Sequence, residues 1–351
     1  MSLVSNEPIC TSLARSSLRV TAAFTSYYSG FLRFYQSICN AGDSTVTILL
    51  YHRISAGMRE RLFNEDVIGP TARAFERQIA YLCERYKVIA LESFVEAVQH
   101  RTRLPRRCAV ITFDDGYKDN YNLAYPILRK YNAPATVFLA TAYIGTDEIG
   151  WTDKLAYMVK NTGVADLEMD GLVRYDLRSE KKRLYAIAAI KKSLKTLPDE
   201  EKDSFLEKLL RTLRVTIPPG LGAGLFLSWA DVREMRANGM SFGAHTATHP
   251  LLTRTSKERA RSEIAESKRR IEEELDNPVE AFAYPNGNFD ETIKTMVKEE
   301  GFACAVTTRQ GINNQNSDLY ELTRIGIPQL PFHQFAFATA WPEIRSFVVG
   351  T

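Results

Sequence analysis

No stretch of about eighteen consecutive apolar residues occurs in this chain of 351 residues, so nothing in it reads as a membrane-spanning helix. Its five cysteines (Cys10, Cys39, Cys83, Cys108 and Cys304) are odd in number and scattered, with no Cys-x-x-Cys pair. That argues against a disulfide framework and a thiolate zinc site, and it fits a reducing compartment. A net charge of +3, without a dense basic stripe, argues against nucleic acid as a partner. A clean secretory signal is also lacking, because Ser, Thr, Arg and Tyr interrupt each apolar core near the start; a cytoplasmic protein is the expectation on that ground.

What is present is an ordinary soluble composition, 45% hydrophobic and 25% charged, over a length that allows one large domain or two small ones. Residues 1–45 read as an N-terminal helical extension. Within it, 13–38 set Leu18, Ala22, Tyr28, Phe31, Leu32, Tyr35 and Ile38 near helical spacing, with Arg15, Arg19 and Arg33 among them. The expected alternatives for this segment are packing on the domain, partial disorder, or contact with a membrane surface. From Val46 onward, strand-like and helix-like runs alternate. Val46–Tyr51 reads as a strand, and 71–85 as a helix capped by Thr71 with Phe75, Ile79 and Leu82 on one face. Further strands are expected at 86–90, 109–113, 135–140, 240–243, 279–283, 302–306 and 321–327. Thr255-x-x-Glu258 reads as a capping box for a helix running to Leu275. Repeated strand–helix units predict a parallel sheet covered by helices, and seven or eight strands predict a barrel. Residues 151–227 break the rhythm as a helical insertion, whose lysine runs read as a solvated helix face. Residues 329–351 remain as a tail packing on the barrel.

The polar motifs follow the strands. Ala109–Phe113 ends in Asp114-Asp115-Gly116, and two adjacent carboxylates need a cation, a proton or water to settle their repulsion. His245-Thr-Ala-Thr-His249 spaces two imidazoles four apart, which on a helical turn points both one way. Two histidines and one carboxylate make three ligands with a position left for water, the layout of a catalytic zinc-type centre; nickel, cobalt and iron also suit the set. One carboxylate of the pair then holds the ion while its neighbour serves as base, and the reaction class is metal-assisted hydrolysis. Tyr284-Pro-Asn-Gly287 offers a rigid turn whose N–H groups face a developing oxyanion. Tyr284, Pro285, Trp151 and Asp153 are the expected substrate-binding groups.

Thr112-Phe-Asp-Asp-Gly116, His245-Thr-Ala-Thr-His249 and Tyr284-Pro-Asn-Gly287 together resemble the NodB-type polysaccharide deacetylases, carbohydrate esterase family 4, over roughly 46–145 and 228–328. The resemblance implies a distorted (β/α)7-8 barrel that uses a divalent metal to remove N-acetyl groups from amino sugars in a glycan or its lipid-linked precursor. It implies Asp114 as catalytic base, Asp115, His245 and His249 as metal ligands, and the Asn286 N–H as oxyanion donor. The family's motif arginine is replaced by Ala283, and no Asp-x-x-Asp-Trp motif is present, although Trp151-Thr-Asp153 offers related groups. The late strand Leu322–Ile327 also lacks the family's last histidine. Leu49-Leu-Tyr-His52 resembles the members that carry this motif at the front of the barrel, which makes His52 the expected general acid. Alternatives are a hydrolase of a non-sugar amide and a catalytically silent glycan-binding relative.

Overall fold

The computed structural model describes residues 44–57, 62–169 and 173–349, with a few residues between 21 and 30. The expected extension over 1–45 therefore lies almost wholly outside the described residues. Of it, Tyr28 sets its ring 6.1 Å from that of His333. Among the described residues, no helix is long and apolar enough to cross a membrane.

The elements run β1 (Thr45–Tyr51), β2 (Arg53–Ser55), β3 (Ile68–Thr71), α1 (Ala72–Arg85), β4 (Lys87–Val88), α2 (Leu91–Gln99), β5 (Arg107–Phe113), α3 (Tyr125–Lys130) and β6 (Ala135–Leu139). The insertion follows, with α4 (Trp151–Asn161), β7 (Asp166–Met169), β8 (Val173–Asp176), α5 (Glu180–Leu194) and α6 (Asp199–Leu213). The barrel then resumes through α7 (Trp229–Ala237), β9 (Ser241–Ala244), α8 (Lys257–Leu275), β10 (Ala281–Ala283), α9 (Glu291–Glu299), β11 (Cys304–Val306) and β12 (Ile325–Gly326), and α10 (Phe332–Val349) comes last.

The main sheet is parallel, in the order β11-β10-β9-β6-β5-β1-β12, with β4 added beside β5. It curls into the distorted barrel that the alternation predicts. The gap between its ends is bridged by residues 322–327. Leu322 pairs with Val306, while Ile325 and Gly326 pair with Leu49 and Leu50 of β1. The expected strand over 321–327 is thus shortened to β12, because its first half turns toward β11 and its second half toward β1.

Strand side chains alternate between two cores. Val46, Ile48, Cys108, Val110, Ala281, Cys304 and Val306 fill the barrel with Leu91 and Phe94 of α2. Leu49, Tyr51, Ile111 and Phe113 face outward onto Phe75, Ile79 and Leu82 of α1, with the Tyr51 and Phe75 rings 5.2 Å apart. Thr71 caps α1 as expected, accepting from Ala74 N–H at 3.3 Å. The capping residue of α8 is Ser256, not Thr255: its hydroxyl accepts from Arg259 N–H, and Thr255 stands one position too early to reach it.

The insertion carries a core of its own, with Leu155, Val159, Leu167, Ile190, Leu209 and Leu213 among its members. It also contains an antiparallel β7–β8 hairpin, which the expectation of a helical insertion did not include. Polar ties join this subdomain to the barrel. Arg259 of α8 reaches Asp199 at 2.8 Å, and Lys160 reaches Glu65 at 2.9 Å.

Candidate active site

The C-terminal ends of the parallel strands deliver the polar groups, as a barrel of this kind requires. His52 follows β1, Asp114 and Asp115 follow β5, His245 follows β9, and Asn286 lies in the turn after β10. All of them line one cavity of about 370 Å³, together with His249, Tyr117, Tyr143, Trp151, Phe226 and the insertion's Lys191 and Lys195.

Asp114 continues the inward-facing register of Val110 and Thr112 and is almost wholly buried. The fully buried Arg324 grips it with a two-pronged contact, Nη1 to Oδ1 and Nη2 to Oδ2, each 2.7 Å. The guanidinium is itself fixed by Nε donating to the Thr307 carbonyl (2.8 Å) and Nη1 donating to Thr112 Oγ1 (3.2 Å). Burial raises the Asp114 carboxyl, but Arg324, by charge and hydrogen bonds, and His245 by charge, hold it well below the usual carboxylate range. Arg324 thus sets a guanidinium against this carboxylate from a place in the chain other than Ala283, the position at which the resemblance puts the family's arginine. Its sequence signal is a lone charge in the otherwise neutral run Leu322–Ile327.

Asp115 departs from the alternation of the strand, because its backbone is left-handed (φ 73°) and Gly116 follows at φ 80°, and its carboxylate faces the same cavity as Asp114. The φ of 80° at residue 116 favours glycine, and a Cβ there would also press on Leu139 Cδ2 at 2.8 Å. Asp115 Oδ1 lies 3.5 Å from both His245 Nε2 and His249 Nε2. The helical turn expected for the two imidazoles does not form. Residues 245–249 are an irregular loop in which Thr246 (φ 65°) and His249 (φ 57°) are left-handed, a conformation no α-helix contains. That loop nonetheless brings the rings to 4.7 Å. It is held from outside by Glu263, which accepts from Thr248 N–H (2.7 Å) and Oγ1 (2.6 Å).

The donor set fits a divalent ion. One ligand atom from each of Asp115, His245 and His249 lies within 4.8 Å of the others. His245 Nδ1 lies 2.7 Å from the Ala283 carbonyl, which can only accept, so the proton sits on Nδ1 and Nε2 offers its lone pair. Burial lowers both histidines to about 4, so they are neutral and ready to ligate near neutral pH.

The remaining expected residues divide. His52 lines the cavity, its carbonyl taking a 2.8 Å hydrogen bond from Asn120. Asn286 is left-handed (φ 56°) in the 3-10 turn Pro285–Gly287, and as second residue of that turn its N–H has no partner within the helix. Trp151 and Asp153 are in the wall, but Asp153 is committed elsewhere. Oδ1 accepts from Asn64 N–H (2.9 Å), Oδ2 lies 3.3 Å from the Tyr117 hydroxyl, and burial pushes the carboxyl up to about 6. Tyr284 and Pro285, expected to bind substrate, are not in the wall. Both are buried: Tyr284 stacks on Phe289 at 4.6 Å and bonds the Tyr320 carbonyl, so the motif's aromatic serves packing. The aromatic wall is instead Tyr117, Phe226 and Tyr143, stacked at 4.8 and 5.1 Å, from three separate loops that no local pattern connects.

A family profile described as polysaccharide deacetylase matches residues 101–305. YxkH of Bacillus subtilis, named for the same family, is 22% identical over 281 residues, covering 80% of this chain and 70% of its own. The poly-beta-1,6-N-acetyl-D-glucosamine N-deacetylase of Staphylococcus aureus is 32% identical over 155 residues, 42% of this chain and 52% of the relative. Among solved structures, the Streptococcus pyogenes deacetylase PplD superposes with a TM-score of 0.57 at 23% identity, over 85% of this chain and 99% of that one. IcaB of Ammonifex degensii gives 0.55 at 18% identity, over 86% and 98%. The profile spans more than half of the chain, and it coincides with the strands that deliver Asp114, Asp115, His245 and His249: the protein belongs to the polysaccharide deacetylase family.

Proposed function

We propose that the cavity removes the acetyl group from an N-acetylated amino sugar of a glycan, with Asp114 as base, His52 as general acid, and Asp115, His245 and His249 holding Zn2+. Hydrolysis of an N-acetyl amide is the family's reaction, and the family is metal-dependent. The observation that carries the residue roles is the Arg324 fork, which fixes an ionised carboxylate beside the three-donor set. Two imidazoles and one carboxylate are a donor set that suits zinc.

A bound divalent ion supplies Lewis acidity, polarising the acetamide carbonyl and easing deprotonation of water. Asp114, kept ionised and aimed by Arg324, takes the proton from the attacking water. The Asn286 N–H, held in its left-handed turn, donates to the oxyanion as the carbonyl becomes tetrahedral. His52 gives its proton to the departing amine nitrogen, and acetate leaves. Of the stacked wall, Tyr143 keeps a partly exposed ring to meet a sugar, because Phe226 stacks on both Tyr117 and Tyr143, and Arg53 lies over Tyr117. The Staphylococcus aureus relative makes β-1,6-linked N-acetylglucosamine polymer the first substrate to try. Acetate release by zinc-loaded protein from N-acetylglucosamine oligomers, lost on Asp114→Asn, is the test; an Asp114→Asn variant that keeps substantial turnover would refute the assignment of the base.

A further inference from the structure

The insertion brings two cations to the cavity that the reaction above does not use. Lys191 lies in the last turn of α5 and Lys195 caps that helix, one turn further on, so the two stand on one face. Both line the cavity. Lys191 is matched: its ammonium bonds Asn64 Oδ1 (3.3 Å) and the Asp66 carboxylate. Lys195 is not. Its ammonium donates to the side-chain oxygen of Asn286, a neutral acceptor, and among the described residues no carboxylate lies within ion-pair distance of it.

The other charges of the wall do not balance it. Asp114 is matched by Arg324 and Asp66 by Lys191, which leaves Asp115 and Asp153. Asp115 faces the two histidines, and Asp153 is turned to Asn64 and Tyr117. A divalent ion together with Lys195 exceeds these two carboxylates, so the loaded cavity carries net positive charge. A neutral acetamide on a neutral sugar calls for none of it.

We propose that Lys195, supported by Lys191, forms a subsite for an anionic substituent, a phosphate ester or a carboxylate, on the glycan that presents the acetamide. The inference rests on the deacetylase reading and narrows its substrate class. On binding, the ammonium exchanges the neutral oxygen of Asn286 for a charged one, which makes the stronger hydrogen bond. Burial, with Lys191 beside it, lowers the Lys195 ammonium from its ordinary range, a strain that an arriving anion relieves. The insertion is then the part of the chain that selects the glycan, while the barrel carries out the hydrolysis.

The experiment compares acetate release by the zinc-loaded full chain from three matched oligomers of N-acetylglucosamine. One is neutral, one carries a 6-phosphate, and one includes the carboxylate of N-acetylmuramic acid. At least one charged oligomer is expected to show kcat/KM about tenfold above the neutral one, the gain falling in KM; which of the two does so identifies the source of the anion. Lys195→Met is expected to collapse that ratio about tenfold, and Lys195→Arg to keep most of it. Should Lys195→Met fail to fold, the wild-type protein decides, because its preference for the charged oligomer must shrink as salt is raised. Equal turnover of neutral and charged oligomers overturns the subsite, and so does a Lys195→Met loss that is the same on all three, which assigns the lysine to holding the Asn286 turn. Acetate from none of the three refutes the deacetylase reading and the subsite with it.

Discussion

Replacing Arg324 by methionine removes a guanidinium that is fully buried and makes two 2.7 Å contacts to Asp114. Methionine fills much of the same space, so the effect isolates the charge and its hydrogen bonds. Leaving one partner of a buried ion pair alone costs about 3–5 kcal/mol. In a chain of this size that lowers the melting temperature by roughly 4–7 °C, at about 1.4 °C per kcal/mol. Unfolding followed by circular dichroism, with chelator present so that no ion masks the loss, measures it. Turnover should fall about a hundredfold, because the base loses its aim. Burial then dominates the Asp114 carboxyl and raises it, so the acid limb of the pH–rate profile moves toward neutral pH. The double variant Asp114→Leu, Arg324→Met removes both charges and is expected to regain most of the lost stability while remaining inactive. A single variant with wild-type melting temperature and kcat, or a double variant no more stable than the single, would refute the reasoning.

Three further outcomes are expected. Asp114→Asn should abolish turnover with metal content near normal by elemental analysis, whereas His245→Ala should lose both. Metal-free stability should fall as pH is lowered from 6.5 toward about 4, because buried His245 and His249 stay neutral there while the unfolded chain takes up protons. Each histidine shift is worth up to about 3 kcal/mol, and the raised Asp115 and Asp153 carboxyls oppose them, so urea titrations at several pH values should show a net loss smaller than the histidine sum. Glu263→Ala should weaken zinc binding about 10–100-fold in a competition titration, since Thr248 and with it the His249 loop lose their anchor.

The convergence of Asp115, His245 and His249, the proposed ion ligands, was legible in the sequence because they follow short apolar strands, and strand ends are where a barrel exposes chemistry. Their backbone was not legible. A four-residue spacing of imidazoles reads as helical, yet left-handed residues at Thr246 and His249 achieve the convergence by another route. Arg324 is not legible in the sequence, because its partner lies 210 positions earlier and the family's motif places its arginine at the position of Ala283. Only barrel closure, a property of the whole sheet, brings the two together. Tyr284 shows the opposite error, a motif residue whose ring turns inward. The lysines of 178–195 read as a solvated face because composition cannot tell which turn of a helix overhangs a cavity. Lys191 and Lys195 occupy the turn that does.

The segment that seals the barrel between β11 and β1 is also the one that carries Arg324. Closure of the sheet and restraint of the Asp114 carboxylate therefore depend on one short stretch. A substitution that loosens residues 322–327 from β1 or β11 is expected to cost that carboxylate its partner as well as the sheet its seam, even where no residue of the cavity is touched.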